Sequence, residues 1–183
     1  MLAVTYAGEG LVRLEERPRP ELIEPGDAIL RVTAAAICGT DLHLVEGKMP
    51  GFEEGGVLGH EFVGVVEEAG AALRNVDVGQ RYVASMLTAC GGCRPCSRHD
   101  YRNCASFALF GMGYAFGGLD GGQAEYVRVP LADMTLAPVP EAMSDETAVL
   151  VSDILPTAYT ALLRAPIVQH IILEDWLLEQ PVR

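Results

Sequence analysis

In the first half of the chain, short runs of β-branched and alternating apolar residues are broken repeatedly by glycine and proline. That rhythm belongs to strands and tight turns. Leu2–Tyr6 and Leu11–Leu14 read as strands joined by a glycine-containing turn at Gly8–Gly10. Arg17-Pro18-Arg19-Pro20 is too proline-rich for a central strand and predicts an extended connection. Pro25-Gly26-Asp27 marks a turn, and Asp27–Ala36 then runs as an apolar strand that delivers Cys38. Glu61–Glu68, Arg81–Ser85 and Ala124–Val129 are expected to be further strands. Helical signals come only late. Ser144 is placed as an N-cap, with Asp145 and Glu146 in a first turn where the helix dipole favours acids. A second helix is expected to start near Asp153-Ile154-Leu155-Pro156, run through Thr157–Arg164 and stop at Pro166. Many short strands with few helices predict a mainly β fold, a compact barrel or a distorted sandwich.

Composition narrows the classes. A length of 183 residues, half of them hydrophobic, allows one ordinary domain with a real core and excludes a disordered tail. The net charge of −12, from 13 Lys+Arg against 25 Asp+Glu, excludes a phosphate-binding surface for nucleic acid. No run of apolar residues is long enough for a membrane span. The start, MLAVTYAGEG, lacks the basic region and apolar core of a secretion signal. A cytoplasmic protein with reduced thiols is therefore expected.

The chemistry lies in two groups of metal-type residues. Cys90-x2-Cys93-x2-Cys96-x7-Cys104 places thiolates on tight turns from which four sulfurs close on one tetrahedral zinc. Four sulfurs leave no open position, so this site is expected to be structural. Cys38, His60 and Glu61 mix thiolate, imidazole and carboxylate, the donor set of an open, catalytic zinc. Taken singly, Cys38 is a small hydrophobe, Gly-His-Glu is a weak motif and Asp153 is a helix cap. The glycines of Gly111–Gly117 fall out of register with a dinucleotide-binding fingerprint and precede a strand-like segment, so they predict a loop.

Cys38-Gly39-Thr40-Asp41-Leu42-His43, Gly59-His60-Glu61, the four-cysteine lobe and Gly121-Gly122-Gln123-Ala124-Glu125-Tyr126 occur here in one order. In these the chain resembles the N-terminal, GroES-like catalytic domain of the zinc-dependent medium-chain alcohol dehydrogenases. Ser152-Asp153-Ile154-Leu155-Pro156-Thr157 is most similar to the formaldehyde-dehydrogenase-like branch, where an aspartate takes a ligand position that is cysteine in other members. The resemblance implies a partly open barrel with a structural-zinc lobe at about residues 88–106, within a catalytic domain over 1–165. It implies two Zn2+ per chain. Cys38, His60 and Asp153 would hold the catalytic ion, with Glu61 beside them or as an exchangeable ligand, and Cys90, Cys93, Cys96 and Cys104 the structural one. Thr40 and His43 match a proton relay, and Thr157 a residue near the nicotinamide. Two anionic ligands and one imidazole would leave zinc near neutral yet Lewis acidic, able to polarise an alcohol or carbonyl oxygen. His99 and His170 are given no role.

The family continues into a Rossmann domain, whereas only eighteen residues follow Ala165, fewer than a βαβ unit needs. Residues 166–183 are expected to be either a remnant of the family's final strand and helix or an altered tail. NAD(P) would then bind only with a nucleotide domain supplied in trans, and hydride transfer to or from a small alcohol or aldehyde would not be completed by the chain alone. An exposed apolar cleft is expected to bring self-association or a partner protein. Two rival readings are a zinc-stabilised interaction module or non-enzymatic relic, and an NAD-independent zinc hydrolase or hydratase.

Overall fold

The structure is a computed structural model and describes residues 1–8, 10–49 and 51–164. Among these, the strands are β1 (Leu2–Tyr6), β2 (Val12–Glu16), β3 (Ala28–Ala35), β4 (Phe62–Ala69), β5 (Arg81–Ala84), β6 (Leu87–Thr88), β7 (Ala108–Leu109), β8 (Tyr126–Val129) and β9 (Leu136–Pro138). The helices are α1 (Gly39–Val45), α2 (Ala132–Thr135), α3 (Asp145–Ala148) and α4 (Ile154–Arg164). Antiparallel pairing builds a five-stranded sheet in the order β8-β3-β4-β5-β9, with β1-β2 and β6-β7 as separate two-stranded pieces. The large sheet does not close on itself, and β8 and β9 are its edges. A mainly β, partly open architecture is what the strand pattern and the resemblance led one to expect.

β4 sits at the centre, where its apolar run Phe62–Val66 can be covered on both faces. Phe62 and Val66 enter the main core with Leu30, Tyr82, Phe110, Val127 and Val129, while Val63 turns to the opposite side, beneath Ala148 and Val149. Phe62 and Phe110 meet edge-to-face, with ring centroids 5.1 Å apart. A third cluster, Leu44, Leu58 and Met112, lies against α1.

Two sequence expectations need correction. β2 lies at Val12–Glu16, displaced from Leu11–Leu14. Helices are not confined to the end of the chain, because α1 follows Cys38 directly. Gly39 and Thr40 are poor helix formers, so propensity conceals it. What starts the helix is a local cap: the Asp41 carboxylate accepts the Cys38 N–H at 2.7 Å. The late helices agree with the reading. The Thr147 N–H donates to Ser144 Oγ at 3.3 Å, and α4 begins just after Asp153. The expected stop at Pro166 and the tail 166–183 lie outside the described residues. No helix among those described is long and apolar enough to cross a membrane.

Candidate metal centres

Three separate elements build the open group. Cys38 is the N-cap of α1, His60 and Glu61 stand at the entrance to β4, and Asp153 directly precedes α4. One donor atom from each of Cys38, His60, Glu61 and Asp153 lies within 4.8 Å of the other three. Gly59, at φ +96°, makes the turn that aims His60 inward, and a side chain there would run into Gln123. Behind the turn, buried Ser152 shares its hydroxyl proton between the carbonyl oxygens of Ala84 (2.5 Å) and His60 (3.3 Å). The step into α4 is thereby tied to the sheet.

The electrostatics favour a cation. His60 Nε2 is 3.5 Å from Asp153 Oδ2, and His60 Nδ1 is 3.6 Å from Asp41 Oδ1. The second distance is too long for a hydrogen bond, and among the described residues His60 Nδ1 and Asp41 Oδ1 are buried without hydrogen-bond partners. Burial opposes charge on His60, yet Asp41 and Cys38 outweigh it and raise the imidazole to about 9. Burial, helped by Asp153 and Asp41 and opposed by His60, raises the Glu61 carboxyl. An ionised thiol and two carboxylates collected in a buried place repel one another unless a positive charge joins them, either a proton on His60 or a metal ion. The donor set fits Zn2+.

Other expected residues fall unevenly around this group. Thr40 Oγ1 lies 3.8 Å from Cys38 Sγ. Thr157 Oγ1 donates to Asp153 Oδ1 at 2.6 Å and holds that carboxylate in place. His43 is exposed, with Nδ1 3.9 Å from Glu46 Oε2, and among the described residues it makes no hydrogen bond to Thr40. Asp41, which the sequence reading gives no part, stands behind two of these donors. Its signal is the spacing from Cys38, which becomes meaningful once α1 is known.

The second group is local. β6 and β7 pair at its neck, and Cys90, Cys93, Cys96 and Cys104 bring their sulfurs within 4.8 Å of one another. All five cysteines of the chain are free. The N–H groups of Cys90 and Ser106 donate to Cys104 Sγ, each at 3.3 Å. Led by the Cys90 donor, they pull the Cys104 thiol down to about 6. Burial, together with Cys93, pushes Cys96 up to about 12. Thiols divided in this way all ionise readily only around a cation, so the lobe fits a metal of zinc type.

The family profile described as the alcohol dehydrogenase GroES-like domain matches residues 24–141. A probable zinc-binding alcohol dehydrogenase of Mycobacterium tuberculosis is 42% identical over 168 residues, covering 91% of this chain and 42% of that protein. A glutathione-independent formaldehyde dehydrogenase of Pseudomonas aeruginosa is 38% identical over 173 residues, covering 85% of this chain and 43% of that protein. Among solved structures, an alcohol dehydrogenase of Thermus sp. ATN1 superposes with a TM-score of 0.87 at 42% identity, over 91% of this chain and 48% of that one. The chain thus spans less than half the length of these relatives. With more than half its residues matched by the profile, and both metal-type groups assembled on that framework, the chain belongs to the zinc-type alcohol dehydrogenases that carry a GroES-like domain.

Proposed function

We propose that the chain is the zinc-binding catalytic domain, over residues 1–165, of an oxidoreductase acting on a small alcohol or aldehyde. One observation carries the reading: an open group of mixed donors and a closed group of four thiols, each gathered within 4.8 Å, stand on one framework. Two Zn2+ per chain follow. Cys90, Cys93, Cys96 and Cys104 hold the structural ion, and Cys38, His60 and Asp153 the catalytic one, with Glu61 beside them. Zinc in the open group supplies Lewis acidity for an alcohol or carbonyl oxygen.

The chain's own residues do the rest. Asp41 and Thr157 orient His60 and Asp153. Thr40, next to Cys38, would take the alcohol's proton, and His43, exposed at the rim, would release it to solvent through an intervening water, the two making no direct hydrogen bond among the described residues. A bound NAD(P) would supply the hydride acceptor, and Thr157 would lie at its nicotinamide edge. Ile154, Leu155, Tyr159 and Leu163 expose apolar surface on α4, which supports self-association or a partner protein there.

Metal analysis tests the assignment. Two zincs are expected in the unaltered chain and one in Cys38→Ser, with the fold retained. Cys93→Ser is expected to lose the other zinc and to melt at a lower temperature. A Cys38→Ser variant that unfolds, or that keeps both zincs, would overturn the open-site assignment.

A further inference from the structure

A cavity of about 650 Å³ opens between the cysteine lobe and α4. Arg98, His99 and Arg102 line it from the lobe, and Thr157, Thr160 and Arg164 from the helix. Met86, Leu87 and Pro156 line both this cavity and a smaller one of about 260 Å³ that Asp153 also lines. The large cavity therefore adjoins the open metal group.

What sets it apart is its charge. Arg13, Arg19, Arg31, Arg81, Arg128 and Lys48 each hold a carboxylate, and Arg17 donates to the Gly55 carbonyl oxygen. Among the described residues five arginine side chains have no such partner, Arg74, Arg94, Arg98, Arg102 and Arg164, and the last three line this one cavity. The one acid in the lining, Asp100, accepts from Asn103 Nδ2 at 2.7 Å within its own loop. Acids outnumber bases nearly two to one in this chain, so partners for three arginines were not scarce. With one carboxylate against three guanidinium groups the lining keeps a net positive charge, and the planar guanidinium forks suit phosphate and carboxylate oxygens.

We propose that this cavity binds the phosphate or carboxylate group of a small molecule. Only the further step, that the same molecule presents its hydroxyl or carbonyl to the open metal group, rests on the dehydrogenase reading.

Calorimetric titration of the full chain with inorganic phosphate, and separately with acetate, tests it, with ionic strength held constant by chloride. Saturable binding is expected in the unaltered chain. It should weaken about tenfold or more in Arg98→Gln/Arg102→Gln and also in Arg164→Gln, on the opposite wall. Because these arginines hold no described partner, the variants should melt like the parent. Cys38→Ser, which disables the open metal group, should bind the anion as the parent does. Tighter phosphate would assign a phosphate-bearing ligand, and tighter acetate a carboxylate-bearing one. Equal binding by the parent and the arginine variants would overturn the proposal. So would loss of binding in Cys38→Ser, which would place the anion at the metal group.

Discussion

One carboxylate organises two of the candidate ligands. Asp41 Oδ2 accepts the Cys38 N–H at 2.7 Å, and Asp41 Oδ1 faces His60 Nδ1 at 3.6 Å, inside the fold. The first contact sets the backbone of one donor, and the second favours positive charge on the ring of another. Partners behind metal-ligating histidines commonly change metal affinity ten- to a hundredfold. Asp41→Asn keeps an oxygen for the Cys38 N–H but removes the charge from His60. The expected result is intact helical signal with zinc affinity at the open group about ten- to a hundredfold weaker, read by competition with a chromophoric chelator. Unchanged affinity would remove Asp41 from the site.

Among the elements, α3 shows how a short segment is anchored. Arg81 on β5 donates to Asp145 Oδ1 at 2.6 Å and to the carbonyl oxygens of Pro140 and Met143. The Thr33 hydroxyl and the Arg81 guanidinium hold the Asp145 carboxyl below its usual 3.8. A depressed folded-state pKa contributes stability that is complete above the unfolded value and lost as pH falls through the lower folded one. Asp145→Asn should therefore cost about 1 kcal/mol at neutral pH, the ion pair being partly exposed. It should also flatten the fall in stability below about pH 3.8, as followed by urea titration at several pH values. A variant with the parent's full acid dependence would show that Asp145 is not its source. The elements that escaped the sequence reading share a cause. β6, β7 and β9 have two or three residues each, too few for any periodicity. α1 depends on a cap whose members look like parts of a metal motif.

For the whole molecule, the chain spans about half the length of its relatives or less, yet its two metal-type groups are assembled within the described residues. The nucleotide side of the proposed reaction is testable without knowing the substrate. Calorimetric titration of the zinc-loaded chain with NAD+ and NADP+ is expected to show no saturable binding. Clear binding would overturn that expectation and place a dinucleotide site within these residues. Light scattering is expected to give a mass above the monomer because of the apolar residues on α4; a strictly monomeric mass would count against self-association.

The sequence alone determined whatever local spacing can encode. The four cysteines lie close enough in the chain for their loop to form a lobe, and strand-forming runs between turn residues announced β3, β4, β5 and β8, four of the five strands of the large sheet. Ser144 and Asp153 marked helix starts because caps act over a few residues. Only the tertiary structure decided what long-range closure brings together. Cys38, His60 and Asp153 come from three distant segments, and their meeting depends on the register of β3 against β4 and on Ser152 bridging Ala84 and His60. Thr157 holding Asp153, His43 facing outward and three arginines around one cavity follow from the same packing. No spacing rule carries that information, because the sheet core and not the intervening chain sets the distances.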